Sequence, residues 1–141
     1  MIPSEHEILP SISFKGEAQL EGYFQFTFRN GDGGDFVSLD FFPTKSSVEK
    51  LPYFDRQDYE RPNRIEIFYP KKVAPLFVGS DLAAKLFSGE IRSIGGTAVI
   101  SIKNYIAAYA CDTPGYGAEI SEVERIVDLS PKEMTYVQAG C

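Results

Sequence analysis

Residues 22–41 read G-Y-F-Q-F-T-F-R-N-G-D-G-G-D-F-V-S-L-D-F, and their alternation of polar and apolar side chains decides the fold class. Phe24, Phe26 and Phe28 fall on one side of an extended chain, with Tyr23, Gln25, Thr27 and Arg29 on the other. A period of two belongs to a strand with one face in the core. Beyond the glycines, Val37, Leu39 and Phe41 alternate with Ser38 and Asp40, so 22–41 is expected to be a hairpin.

The reversal holds three glycines, an amide and two carboxylates, which raises three chemistries. A calcium loop fails: counted from Asn30, Asp35 stands where the invariant glycine belongs and Phe41 where a bidentate acid is required. A phosphate cradle fails because a strand follows in place of a helix N-terminus, and two carboxylates repel an anion. A turn remains, with Asn30-Gly31 and Gly33-Gly34 supplying positive φ at little cost.

The same periodicity organises the rest of the chain. Ser11–Gln19 reads as a weaker strand, and Arg64–Tyr69 as a strand closed by Pro70. Residues 43–63 are irregular, punctuated by three prolines, with Ser46 and Glu49 spaced as a capping box for one helical turn. Ser80–Ser88 is the clearest helix, with Ser80 as N-cap and Gly89 as stop. Gly95-Gly96 reads as a turn into a long strand, Thr97–Cys111, on which Ala98, Ile100, Ile102, Ile106, Ala108 and Ala110 share a face. Asn104 interrupts that face and predicts a bulge or a buried amide. Pro114–Gly117 reads as a loop. Residues 118–129 carry both periods, and the β-branched residues favour a strand. Ser130-Pro131-Lys132-Glu133 has the form of a helix start. The expected fold is one α+β domain over 1–141, mostly antiparallel β as a sandwich or half-barrel, with one or two short helices and a mobile tail at 1–10.

Composition narrows the chemistry. At 141 residues and 43 % hydrophobic, the chain has enough apolar surface for a core without a metal or disulfide scaffold. No apolar run reaches the roughly 18 residues of a membrane span, and Glu5 and Glu7 stand where a signal peptide carries bases. Two cysteines, Cys111 and Cys141, fit free thiols in a reducing compartment, although a single bridge between them stays open. The expected location is the cytoplasm, without membrane association.

Histidine is scarce: His6 is the only one, so imidazole-based triads and multi-histidine zinc sites lack their parts. No phosphate loop or dinucleotide motif occurs, and no cofactor is expected. Cys111 lacks an evident activating partner. What survives as catalysis is a carboxylate pair about 5–9 Å apart drawn from Asp32, Asp35, Asp40, Asp112 and Glu119.

Charge is distributed unevenly. Residues 1–40 hold seven acids against two bases (net −5), 41–103 ten bases against seven acids (+3), and 104–141 six acids against two bases (−4). Arg56, Arg61, Arg64, Lys71 and Lys72 are interleaved with Tyr53, Phe54, Tyr59, Phe68 and Tyr69, the composition of a stacking surface. Asp55, Asp58, Glu60 and Glu66 neutralise that field, and the overall balance of −6 argues against nucleic acid. The leading expectation is a non-enzymatic, protein-binding inhibitor or immunity-type protein that neutralises a basic partner such as a toxin. Asp32, Asp35, Glu119, Glu122 and Glu124 would supply charge complementarity and Tyr116 an anchor. A small-ligand module lined by Phe24, Phe26, Phe28, Ile100 and Ile102 is the alternative, and a carboxylate hydrolase the third.

Overall fold

The computed structural model describes residues 2–3, 11–52, 61–110, 113–126 and 129–133. In chain order these form β1 (Ile2–Pro3), β2 (Ser11–Lys15), β3 (Glu17–Gly31), β4 (Gly34–Pro43), α1 (Lys45–Val48), β5 (Ile65–Ile67), α2 (Pro70–Val78), α3 (Ser80–Phe87), β6 (Ile91–Ala110), β7 (Thr113–Ile126) and β8 (Ser130–Glu133). The fold is α+β, mostly strands in a largely antiparallel sheet with three short helices.

The β3–β4 hairpin is continuous in register from Gly22↔Pro43 to Gly31↔Gly34, with Asp32 and Gly33 as its two central residues. Of the turn glycines only Gly34 has positive φ, at 109°. Gly16, at φ 101°, divides β2 from β3, yet both lie along one edge of β6: β3 pairs with Ser93–Lys103 and β2 with Ile106–Ala108. On the other edge of β6 lie β7 and β8. β4 pairs with β5, and β5 runs parallel to β7 through Glu66↔Gly117 and Ile67↔Ala118. The order β3-β4-β5-β7-β6 therefore returns to β3. With the α2–α3 pair inserted between β5 and β6, the third and fourth of these strands in chain order, this is the order of an OB-type Greek-key barrel.

Its interior is filled. Phe24, Phe26, Leu39, Phe41, Ile65, Ile100 and Ile102 are buried, and Phe77 of α2 packs on Phe24 and Phe26 with ring centroids at 4.7 and 5.6 Å. Removing one such phenylalanine costs about 3–5 kcal/mol. At the other end of the core, Phe14 and Tyr116 pack on Tyr105, whose hydroxyl donates to Pro52 O at 2.7 Å. The five residues expected to line a lumen are thus packed core, and space for a ligand lies outside the barrel.

Several local expectations gave way to long-range pairing. Gly95-Gly96 sits within β6 and not in a turn, because Tyr23 crosses it: a Cβ on Gly95 would fall 1.9 Å from the tyrosine hydroxyl. Pro114–Gly117 belongs to β7, where Gly117 leaves room for the Phe68 ring, which a Cβ at that position would meet at 2.4 Å. Residues 130–133 form strand β8, not a helix, since β7 ends opposite Ala98 and leaves Ile91–Gly95 an edge to be paired. The one-turn helix is capped by Thr44, whose hydroxyl accepts from Ser47 N, so it starts before the expected Ser46. α3 starts as expected at Ser80, but its cap is Gly79. α2 was hidden by its prolines: Pro70 opens it and Pro75 lies inside. Asn104 does form a bulge, at φ 53°. The one-residue slip reverses the faces beyond it, so Tyr105 and Ala107 turn inward and Ile106, expected beside Ile100 and Ile102, turns outward.

Candidate functional site

β5 is short for an identifiable reason. Phe68 N turns toward β7, donating to Ala118 O at 2.9 Å, and Tyr69 takes a left-handed conformation at φ 59° immediately before Pro70. Such a conformation costs a bulky residue about 1–2 kcal/mol, and it carries the chain out of the sheet into α2. β4 continues past β5, so a groove opens beside Phe36–Leu39 on the outside of the barrel. The groove encloses about 480 Å³.

One wall is β4, with Phe36 and Ser38; the other is the outward Asn104, Ile106 and Glu119 of β6 and β7; Glu66 and Phe68 lie between, and Tyr69 closes one end. Phe36 is 47 % and Tyr69 61 % exposed. The Asn104 amide donates to the Glu119 carboxylate, which fixes the acid at the bulge. Glu66 lies beside Gly117 in the parallel register, and Glu119 follows two residues along the same face. Two carboxylates thus share the groove with four exposed or half-exposed apolar side chains. Among the described residues that line it there is no lysine or arginine.

No family model, curated protein or solved structure matches the chain. The site is therefore read from its own chemistry.

Beside the groove, Asp40 is almost fully buried between Arg29 (3.8 Å) and Arg64 (3.7 Å). Burial raises its carboxyl above the usual carboxylate range, and the two guanidinium groups oppose that rise. Arg29 also donates through Nε to Ser38 Oγ at 2.8 Å, so the ion pair holds a wall residue of the groove in place. Asp40 faces Glu66 across the β4–β5 ladder, but its oxygens are directed at the arginines.

The residues singled out from the sequence are scattered by the fold. Glu119 lies in the groove. Asp32 is at the hairpin tip and Asp35 next to Phe36 at the lip, where Asp35 accepts from the Asn30 amide. Glu122 and Glu124 are farther along β7 on its outer face; Glu124 accepts from Ser101 Oγ at 3.1 Å and from Gln19. Tyr116 is half-buried and stacked on Tyr105, with centroids 6.0 Å apart and an interplanar angle of 7°. Of the carboxylates considered for catalysis, Asp32 and Asp35 are exposed, and Asp112 lies outside the described residues, as do His6, Cys111, Cys141 and the basic-aromatic segment 53–60. Among the described residues no group of three His, Cys, Asp or Glu is placed to hold a metal, and no helix is long and apolar enough to cross a membrane.

Phe36 and Glu66 join the site without having been singled out from the sequence. Phe36 carried a signal: it shares the polar phase of β4 with Ser38 and Asp40, and an aromatic ring on that phase has no core to enter. Glu66 carried none, because its place depends on the parallel pairing with β7.

Proposed function

We propose that the protein is a binding module that takes a basic partner protein in this groove, in the manner of an inhibitor or immunity-type protein covering a toxin. The observation that carries the reading is the pairing of exposed aromatic rings, Phe36 and Tyr69, with two carboxylates, Glu66 and Glu119, in a groove lined by no cation among the described residues. Aromatic anchors supply area at low entropic cost, and groove-lining carboxylates select lysine or arginine and speed the encounter. Asp35 at the lip and Asp32 at the hairpin tip extend the same field. Glu122 and Glu124 on the neighbouring face add long-range attraction.

OB-type barrels commonly bind oligonucleotides or oligosaccharides on the face of their second and third strands, here β4 and β5. Fold analogy alone does not carry function, but Tyr69 beside Lys71 and Lys72 gives single-stranded nucleic acid a specific foothold and makes it the second reading.

Fluorescently labelled basic-apolar octapeptides, acidic counterparts and oligo(dT) separate the two. The basic peptide is expected to bind, with affinity lowered by Glu66→Gln and by Glu119→Gln. Oligo(dT) that binds more tightly, and gains affinity from the same substitutions, contradicts the proposal.

A further inference from the structure

We infer that the basic partner enters the groove as an extended strand added to the stretch of β4 edge that β5 leaves uncovered. This mode presupposes the basic-partner reading above and adds to it the backbone geometry of recognition. β4 pairs with β3 along its whole length, Gly34 to Pro43, but with β5 only through Asp40 and Phe41. β5 reaches along this edge as far as Leu39, so among the described residues Asp35–Ser38 pair with β3 alone. Along a strand, alternate residues direct their N–H and C=O groups to opposite edges. On Asp35–Ser38 the groups of Asp35 and Val37, alternate to those bonded to β3, therefore face the groove.

Proteins commonly guard such an edge with lysine, proline, a bulge or an inward charge. Phe36-Val37-Ser38-Leu39 carries none of these, and its register with β3 is regular. The gap beside it is held open by the departure of Phe68 toward β7 and the left-handed turn at Tyr69. An added strand would lay alternate side chains against Phe36 and Ser38 on the outer face. Main-chain pairing supplies affinity in this mode and the alternate side chains supply specificity.

Charge selects the occupant. Asp35, Glu66 and Glu119 border the edge, so lysine or arginine on the added strand is matched. A second copy of this chain, paired edge to edge about a two-fold axis, would set these carboxylates near their own equivalents, which disfavours self-pairing.

The test uses an alternating basic-apolar octapeptide with its backbone N-methylated on either the odd or the even residues. N-methylation removes the donors from one edge and leaves charge and side chains intact. One of the two methylated peptides is expected to lose at least about tenfold in affinity, the equivalent of one or two hydrogen bonds, and the other to bind nearly as the parent does. The parent peptide should also slow amide exchange within Asp35–Ser38. Equal binding by both methylated forms overturns strand addition and leaves the basic-partner reading standing. Failure of the parent peptide to bind overturns both. Concentration-dependent dimers that protect Asp35–Ser38 without peptide overturn the choice of occupant in favour of a second copy.

Discussion

Replacing Phe36 by alanine tests whether the exposed ring is a binding anchor. Phe36 is 47 % exposed at the lip of the groove. A phenylalanine side chain carries roughly 200 Å² of surface, so about 90 Å² of it stays in water in the free protein. At about 25 cal/mol per Å², covering that area contributes about 2 kcal/mol. Ordering the ring returns roughly 0.5–1 kcal/mol, which leaves a loss of about 5- to 13-fold in affinity for Phe36→Ala. About half of the ring is already covered in the free protein, so stability should fall by about 1–2 kcal/mol, too little to unfold the protein in the titration. Titration of the labelled basic octapeptide gives the affinity, and urea unfolding gives the stability. Leu76→Ala is the control: Leu76 is 61 % exposed on α2 but does not line the groove. If Phe36→Ala binds as the unaltered protein does while Leu76→Ala weakens binding, the groove is not the recognition surface.

Three further outcomes follow from the geometry. Gly22→Ala should destabilise by about 3 kcal/mol, because the new Cβ would lie 2.3 Å from Phe42 O and 2.8 Å from Pro43 Cα, both backbone atoms that cannot step aside; Gly95→Ala meets the Tyr23 hydroxyl, on a side chain 39 % exposed and able to swing outward, and should cost less in urea unfolding. A reversed order of the two refutes the packing argument. Asp40 has a raised pKa in the folded state, so its protonated form is favoured by folding, and the stability it contributes at low pH is lost as pH rises through that pKa; Asp40→Asn should therefore gain on the unaltered protein as pH rises above the unfolded aspartate value of about 4, and a difference that is flat or opposite in sign shows that Arg29 and Arg64 outweigh burial. Asp32→Asn with Asp35→Asn should leave stability within about 0.5 kcal/mol but weaken the basic peptide in a salt-sensitive way; unchanged affinity reduces the hairpin tip to a turn.

The hairpin at 22–41 was legible because alternation is a local signal and both strands show it over several residues. The long strand β6 and helix α3 were legible for the same reason. What could not be read locally was decided by partners far along the chain. Ser130–Glu133 has a good helix start, but an unpaired edge of β6 outweighed it. Gly95 is a glycine for Tyr23 and Gly117 for Phe68, neither of them a sequence neighbour. The bulge at Asn104 was legible, yet its consequence was not: by reversing phase it moved Ile106 from core to groove. The site followed the same division. Glu119 and the Asp32–Asp35 turn were picked out by charge, whereas the groove itself exists only because β5 joins β7 in parallel and leaves β4 early.

The claim that this groove receives a basic polypeptide is tested most directly by a heteronuclear NMR titration of the labelled protein with the basic-apolar octapeptide. The account predicts saturable shifts concentrated at Phe36–Leu39, Glu66–Tyr69, Asn104–Ile106 and Glu119. Shifts confined to other surfaces, or the same map produced more tightly by oligo(dT), would contradict it.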